Sequence, residues 1–388
     1  MLESALAFGA LVMAPPLPPV DLPLERMAEI TLFDALLSYP PIKALLPIPI
    51  LTALAPLVIW FFGKTWRQLD AEARADWSAR RDETLVASRA GPRRSRWMYR
   101  GRGDPRARRS SPRIVRLRRA PLVATFASAS PASSVSLANR PGFNYRPAMC
   151  LVIVAVVLTL QEYYGGRRFY QEMLNPMLVQ WEAEGWQWLH VGKYDELYSY
   201  AWWTLARVIG YVLIPFPLWK LLFPKDNLLD MGLRLRGFFQ HAWIYLLCLA
   251  FVLPAMALVA SQPDFGSYYP FYKQSSRSWV DFMAWELMYW LQFLSLEMFF
   301  RGWMLGAMRK SIGAAAIFVM AVPYCMIHYG KPYLEANGAI VAGIVLGSLA
   351  MHTRSIYAGF LVHVTVAFSM DFLSLWKQGA LPVHFWPT

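Results

Sequence analysis

Two charged residues lie four positions apart in LSLEMFFRGWMLGAM, a stretch from Leu294 to Met308 whose other residues are apolar or small. They are Glu297 and Arg301. On a helix this spacing places both side chains on one face, where they can form an ion pair. Because a charge at the centre of a bilayer costs roughly 2.5 to 3.5 kcal/mol on insertion scales, the chain must gain something by keeping them. They are either a structural lock between helices or part of a functional site.

Two histidines occupy the later apolar segments of the same region. His328 ends a segment that Pro323 should bend or interrupt. His363 lies in AGFLVHVTVAFSMD, with Asp371 two helical turns later as a candidate proton partner. Each histidine taken singly is more often a hydrogen-bonded packing residue than a catalyst. One Glu, one Arg and two His on three of the last four apolar segments nevertheless predict an active site.

The chemistry of such a set is the activation of water. A carboxylate and an imidazole that converge in a wet pocket can act on water as a general base, and a second imidazole can donate to an oxyanion. Glu297, His328 and His363 could instead ligate zinc, with a water molecule in the fourth position. The sequence does not choose between these alternatives, so a zinc cofactor stays open.

The composition favours a membrane protein, because 56% of the residues are hydrophobic and only 16% are charged. Apolar runs close to the roughly 20 residues that span a bilayer occur at 44–63, 147–165, 199–223, 237–261, 279–305, 312–329, 336–352 and 355–376. This pattern predicts an all-α fold, a polytopic membrane helix bundle of about eight transmembrane helices.

The net charge of +13 belongs to one loop. Residues 64–146 contain 20 of the 38 Lys and Arg but only 6 of the 25 acidic residues. By the positive-inside rule this loop is cytoplasmic and the N-terminus lies outside. The loop adheres to anionic lipid or RNA, or is a linker that fixes the topology. No RNA-binding motif accompanies it, so the expected partners are the lipid bilayer and a membrane-anchored substrate rather than nucleic acid.

The chain divides by composition into six regions. Residues 64–88 should continue the first helix into the cytoplasm, and the Arg-, Ser- and Pro-rich sequence from about 89 to 146 should be disordered. The regions are a Pro-rich tail (1–43), the first transmembrane helix (44–66), the basic loop (67–146), two helices with a Trp-rich outside loop (147–224), a core (225–376) and a C-terminal tail (377–388).

The depth of each candidate residue tests whether the set can converge. At about 1.5 Å per residue, Glu297 lies roughly 18 Å from the turn at Arg309, and His363 lies roughly 14 Å from Arg354. His328 lies roughly 24 to 27 Å from its turn on the same scale. It can join the others only if its helix tilts, breaks at Pro323 or begins later than residue 312.

Three motifs on three of the predicted helices carry a resemblance to a known family. They are LEMFFRG (Leu296–Gly302), YCMIH (Tyr324–His328) and HVTVA (His363–Ala367). This pattern resembles the motifs EExxxR, FxxxH and HxxxN of the CAAX protease and bacteriocin-processing family of intramembrane proteases, which includes the type II CAAX prenyl endopeptidase. GIVLGSLAMHTRSIYAGFLVHV and DMGLRLR are similar to further family segments, so the resemblance covers about residues 225–376.

The resemblance implies an intramembrane endopeptidase in the cytoplasmic membrane of a bacterium. In its terms Glu297 would be the base with His328 beside it on the water, Arg301 would position Glu297, and His363 would stabilise the oxyanion. Three positions differ from the family pattern, and Tyr324 in place of Phe is the mildest of these changes. Leu296 stands where the family has its water-activating Glu, and Ala367 stands where it has an Asn. Lys331 and Glu335 are further candidates to complete the site from the outer loop.

Two other functions remain compatible with the residues. A relative that lacks the full base would bind membrane peptides as a scaffold without cleaving them. A proton-coupled transporter would use intramembrane Glu, Arg and His as a relay. A transporter of that kind would be expected to show repeat symmetry or paired broken helices, and the sequence shows neither.

Overall fold

A computed structural model describes residues 47–89, 144–260, 265–331 and 333–387. The predicted N-terminal tail and the segment of the basic loop predicted to be disordered lie almost wholly outside these residues. The α-helices are α1 (Pro47–Arg89), α2 (Tyr145–Tyr164), α3 (Arg167–Phe169), α4 (Asn175–Ala183), α5 (Val191–Val208), α6 (Pro215–Leu222), α7 (Leu235–Gln240), α8 (Ala242–Ala260), α9 (Phe265–Tyr268), α10 (Trp279–Glu297), α11 (Leu305–Ile312), α12 (Ala315–Met326), α13 (Tyr333–Thr353) and α14 (Tyr357–Lys377).

The all-α membrane fold predicted from the sequence is confirmed. Each predicted apolar run contains helix within its described residues, and those residues contain one isolated β-bridge, between Leu233 and Ser355, but no strand. Four helical segments in the described part are long and apolar enough to cross a membrane: Tyr145–Tyr164, Val191–Leu222, Ala336–Thr353 and Tyr357–Lys377. Two shorter apolar helices, Ala242–Pro254 and Ala315–Met326, accompany them. The total of about eight spans stays a prediction.

Helix starts follow local side-chain chemistry. Asn144 precedes α2, and its side chain accepts a hydrogen bond from the backbone N–H of Arg146 at 3.2 Å. Ser278 precedes α10, and its hydroxyl accepts from the backbone N–H of Asp281 at 3.0 Å and donates to the Asp281 carboxylate at 2.7 Å. Such caps satisfy N–H groups that have no partner within the helix. The cap of α10 sets where the helix that carries Glu297 begins.

Helix α1 extends well beyond its apolar part and packs against the core. The predicted continuation over 64–88 is therefore present as one helix that ends at Arg89. Glu72 on its polar half accepts two hydrogen bonds from Arg354, at 2.8 and 2.9 Å, and lies 3.6 Å from Arg309. These contacts place Arg309, near the end of α11, and Arg354, in the turn before α14, at one end of the bundle.

Two glycines spaced four apart admit a neighbouring segment to the centre of the fold. Gly302 and Gly306 face Met231, and a Cβ atom at Gly302 would lie 2.8 Å from the Met231 carbonyl oxygen. Ile356 donates its N–H to the carbonyl of Gly232 at 3.0 Å, which ties this segment to the start of α14. The absence of side chains at 302 and 306 thus allows the segment before α7 to contact both the Glu297 region and the His363 helix.

Replacement of Gly313 by Ala should destabilise the fold. Gly313 ends α11 with φ +59° and ψ −135°, and a Cβ atom there would lie 3.0 Å from the Asp70 Cα on α1. The backbone conformation alone costs an alanine roughly 1 to 3 kcal/mol. We expect a lower unfolding temperature for Gly313→Ala. Gly379 has φ +63° in open space, so Gly379→Ala is the control that carries backbone strain without the clash. Equal stability of wild type and Gly313→Ala would contradict this prediction.

Candidate active site

A π-helix places the charged residues of LSLEMFFRGWMLGAM. It spans Met298–Met304, directly after Glu297 ends α10, and α11 continues from it. A π-helical turn has one more residue than an α-helical turn and is frequent at functional sites. Glu297 and Arg301 are both fully buried. The irregular segment therefore holds its two charges inside the bundle, away from lipid.

The ion pair expected from the i, i+4 spacing is present. Arg301 Nη1 lies 3.1 Å from Glu297 Oε1. The guanidinium carbon of Arg301 also lies 3.7 Å from the centre of the Tyr324 ring on α12, a cation–π contact. Tyr324 is the residue of the YCMIH motif that replaces Phe. The arginine thus links the carboxylate on one helix to an aromatic face on the next.

His363 reaches the same carboxylate from α14. Its Nε2 lies 3.2 Å from Glu297 Oε1, and its ring stacks on Phe293 of α10 with the ring centres 5.0 Å apart. Gly359, one helical turn earlier, makes the approach possible, because a Cβ atom there would lie 2.9 Å from Glu297 Oε2. The side chain of His363 is 18% exposed whereas that of Glu297 is 0% exposed. The imidazole is therefore the partly accessible member of the group.

The three side chains keep unused hydrogen-bonding capacity. Their ion-pair distances are short, but within the described residues no directed hydrogen bond reaches the Glu297 oxygens, the Arg301 guanidinium nitrogens or His363 Nε2. Buried polar atoms normally have partners, and exceptions in native structures concentrate at sites that bind water, ions or substrate. Their remaining hydrogen-bonding capacity can therefore serve a polar reactant that comes to lie beside Glu297 and His363.

His328 lies one aromatic ring away from this centre. Helix α12 begins at Ala315 and ends at Met326, so His328 follows the helix in a turn. Its Nδ1 lies 2.8 Å from the carbonyl oxygen of Tyr324, and since a carbonyl only accepts, Nδ1 carries the proton. The His328 and Tyr324 rings are 4.8 Å apart. Helix α12 begins three residues later than the predicted segment and continues through Pro323 to Met326.

The side chains do not fit a three-ligand zinc site as they are arranged. In the described part of the chain no group of three or more His, Cys, Asp or Glu residues could hold a metal ion. Glu297 and His363 offer two ligands, and the carboxylate oxygen between them already faces the Arg301 guanidinium. A zinc site in proteins needs at least three protein ligands. A zinc cofactor stays an untested prediction.

Two of the positions that depart from the family pattern, 296 and 367, hold packing residues. Leu296 is buried in an apolar cluster with Phe299 and Phe300. Ala367 is buried in an aromatic cluster that includes Trp285 and Tyr289. Neither side chain can supply a polar group to the site. Glu297 is therefore the carboxylate of this motif that reaches His363.

The structure adds residues that the sequence did not single out. Tyr324 under Arg301, Phe293 under His363 and Gly359 beside Glu297 all shape the site. Glu286, three turns before Glu297 on the same helix, is buried beside Asp371 and was not identified. The sequence did contain a sign of this residue, because Glu286 is an acidic residue within the apolar sequence WELMYW. Lys331 lies over the Phe271 ring at 4.4 Å, and nothing is described of the Glu335 side chain.

Replacement of Gly359 by Ala should displace the Glu297 carboxylate from His363. The added Cβ would meet Oε2 at 2.9 Å, closer than ordinary van der Waals contact. Misplacement of a catalytic group by about 1 Å can lower the reaction rate about 100-fold. We therefore expect turnover to fall by roughly 10- to 100-fold. Gly338→Ala is the matched control, since Gly338 is exposed on α13 with nothing near its Cβ. Turnover measured on a cleavable peptide would match wild type if the approach at Gly359 were unimportant.

Fold and site together define a helical membrane protein with a buried Glu–Arg–His centre between its helices. Residues 278–369 match the family model described as type II CAAX prenyl endopeptidase Rce1-like. This segment contains Glu297, Arg301, His328 and His363, and the match confirms the resemblance to the CAAX protease and bacteriocin-processing family. Rce1-like proteins are a protease family. The comparisons with curated proteins and with solved structures found no match.

Proposed function

We propose that the chain is an intramembrane endopeptidase that hydrolyses a peptide bond in a membrane-anchored substrate. The observation that supports this most is the Glu297 carboxylate, fully buried between Arg301 and His363 with unused hydrogen-bonding capacity. A charged group in this position is costly unless it performs a function or is fully compensated. Its place inside the matched segment adds the protease family as independent support.

In the proposed reaction Glu297 is the general base. It takes one proton from a water molecule as the water oxygen bonds to the peptide carbonyl carbon. His363 donates through Nε2–H to the carbonyl oxygen, on which negative charge develops. Glu297 then gives its proton to the leaving amine as the C–N bond breaks. The products are one carboxylate-bearing and one amine-bearing peptide, and the water is consumed.

The other two candidate residues support this carboxylate. The Arg301 guanidinium offsets the negative charge of the Glu297 carboxylate, while the Tyr324 ring holds the guanidinium in place. His328 contacts the same tyrosine, through the Tyr324 backbone carbonyl and through its ring. We assign His328 a supporting role at the water, as the motif resemblance implies.

The substrate class follows from where the site lies. Glu297 and His363 are buried between helices of a membrane bundle, so the scissile bond must enter from the bilayer or from its surface. The family description names a CAAX prenyl endopeptidase, and we propose a lipid-anchored peptide, such as a prenylated one, as substrate. The bundle end with Glu72, Arg309 and Arg354 would face the cytoplasm, in keeping with the positive-inside rule.

The test is cleavage by the purified chain reconstituted in lipid vesicles. The probe is a synthetic peptide with a farnesylated C-terminal CAAX sequence, and the control is the same peptide without the lipid. Mass spectrometry should show internal cleavage of the lipidated peptide, with one ¹⁸O atom in the new carboxylate when the reaction runs in H₂¹⁸O. Failure to cleave lipid-anchored peptides of varied sequence would overturn the proposal.

A second candidate is a peptide-binding relative that does not cleave. It is favoured by Leu296, which packs in the apolar core where the family has its base, and by the complete burial of Glu297. Binding of the farnesylated peptide with no ¹⁸O incorporation would establish this function. Product formation would exclude it.

A further inference from the structure

A second pair of buried acidic side chains joins the two helices that carry Glu297 and His363. Glu286 on α10 is 1% exposed, and Asp371 on α14 is fully buried. Their carboxyl groups lie next to each other. Neither residue takes part in the reaction proposed above.

The hydrogen bonds around this pair leave one proton to be accounted for. Trp285 Nε1 donates to Asp371 Oδ2 at 2.6 Å, and Trp290 Nε1 donates to Glu286 Oε2 at 3.1 Å. The remaining oxygens, Glu286 Oε1 and Asp371 Oδ1, are buried and receive no hydrogen bond within the described residues. Two ionised carboxylates can only accept, and their like charges repel when buried in contact. A single proton between the two free oxygens supplies the missing donor and removes the repulsion.

The surrounding charges do not replace that proton. The ammonium groups of Lys273, before α10, and Lys331, after α12, interact electrostatically with Asp371. Tyr200 of α5 is a further titratable group that interacts with Asp371. Lys273 donates to two backbone carbonyls, at 2.9 and 3.4 Å, and Lys331 lies over the Phe271 ring. Both ammonium groups thus have other contacts, and the hydrogen bond between the helices needs a donor of its own.

The spacing of the two pairs connects them mechanically. Glu286 and Glu297 are about 16 Å apart along α10, and His363 and Asp371 are about 12 Å apart along α14. Because the earlier residue of α10 meets the later residue of α14, the two helices run antiparallel. One polar contact therefore lies near each end of their shared interface. We propose that Glu286 and Asp371 are positioning residues that share one proton and hold α10 against α14, keeping His363 within reach of Glu297. The catalytic consequence of this inference rests on the proposed function.

Infrared spectroscopy tests the shared proton without any activity. The full chain in lipid vesicles at neutral pH should show the carbonyl stretch of a buried, protonated carboxylic acid. That band should be absent from Glu286→Gln, whose amide donates to an ionised Asp371, and from the double variant Glu286→Gln with Asp371→Asn. Glu162→Gln, at an exposed position on α2, should keep it. A wild-type spectrum without the band, or a band that survives in the double variant, would overturn the inference.

Kinetics on the farnesylated peptide tests the positioning role. Rising pH removes the shared proton and forces two negative charges together, so we expect wild-type kcat to fall at alkaline pH. Glu286→Gln should lose this fall, because its amide hydrogen bond does not titrate, while KM stays unchanged. Glu286→Ala should lower kcat by about 100-fold. An alkaline profile of Glu286→Gln identical to wild type would show that the pair does not position the site.

The two proposals fail in different ways. If no peptide is cleaved but the infrared band is present and lost in Glu286→Gln, the proposed function fails and the shared proton stands. Spin labels on the lipid-facing surfaces of α10 and α14 then report whether Glu286→Ala changes the distance between the helices. An unchanged distance would overturn the positioning role.

Discussion

Glu297→Gln should abolish peptide cleavage while the chain still inserts and folds. Glutamine keeps the size of the side chain and can still accept from Arg301, but it cannot take a proton from water. General-base catalysis contributes about 10²- to 10⁴-fold, so turnover should fall by roughly that factor or more. The measurement is the rate of product formation from the farnesylated peptide. Thermal unfolding of the purified variant and of the wild type shows whether the variant is folded.

Two further variants make this result specific. Glu162→Gln changes an exposed glutamate on α2 in the same way and should cleave at the wild-type rate. Glu297→Asp retains a carboxylate one methylene further away and should keep part of the activity. Normal cleavage by Glu297→Gln would remove Glu297 as the base. It would leave the chain with no other carboxylate of this motif, since position 296 is a leucine.

Arg301→Met should destabilise the protein strongly. Both members of the Glu297–Arg301 pair are fully buried, and loss of one partner leaves the other charge uncompensated. Breaking a buried ion pair in this way costs about 3 to 5 kcal/mol. We therefore expect a large drop in unfolding temperature together with loss of cleavage. Thermal unfolding of the purified variant measures the first effect, and the peptide assay measures the second.

The double variant Glu297→Met with Arg301→Met separates charge from packing. It replaces both buried charges by apolar side chains of similar volume, which is often neutral or stabilising. Stability should return while activity stays absent. Arg168→Met is the matched control, because Arg168 and Glu172 form a pair of the same i, i+4 spacing on the surface. It should change the unfolding temperature little, since exposed pairs contribute little. A similar drop for both single variants would contradict the argument.

These two predictions concern residues that were visible in the sequence, and the reason is local. Spacing of four along a helix was enough to pair Glu297 with Arg301, and the contact is there at 3.1 Å. The apolar runs predicted the helices because a chain in lipid must satisfy its backbone hydrogen bonds within itself. The polar continuation of α1 to Arg89 was predicted from composition as well. The catalytic roles of Glu297, Arg301, His328 and His363 stay predictions.

The partners across helices were beyond local reasoning. Glu286 meets Asp371 only because α10 and α14 pack antiparallel, and nothing within either helix indicates that register. The placement of His328 depends on where α12 begins and ends, and the helix begins at Ala315 and ends two residues before His328. The π-helix after Glu297 likewise depends on packing, because its residues are buried against neighbouring segments.

Residue order along LSLEMFFRGWMLGAM was sufficient to place two charges on one helix face, because helix geometry repeats every few residues. Whether that carboxylate meets His363, 66 positions later (363 minus 297), depends on how two helices approach. The missing side chain at Gly359 allows that approach, and Phe293 holds the imidazole in place. Contacts between distant segments arise from the packing of whole surfaces, and no short stretch of sequence contains the shape of both.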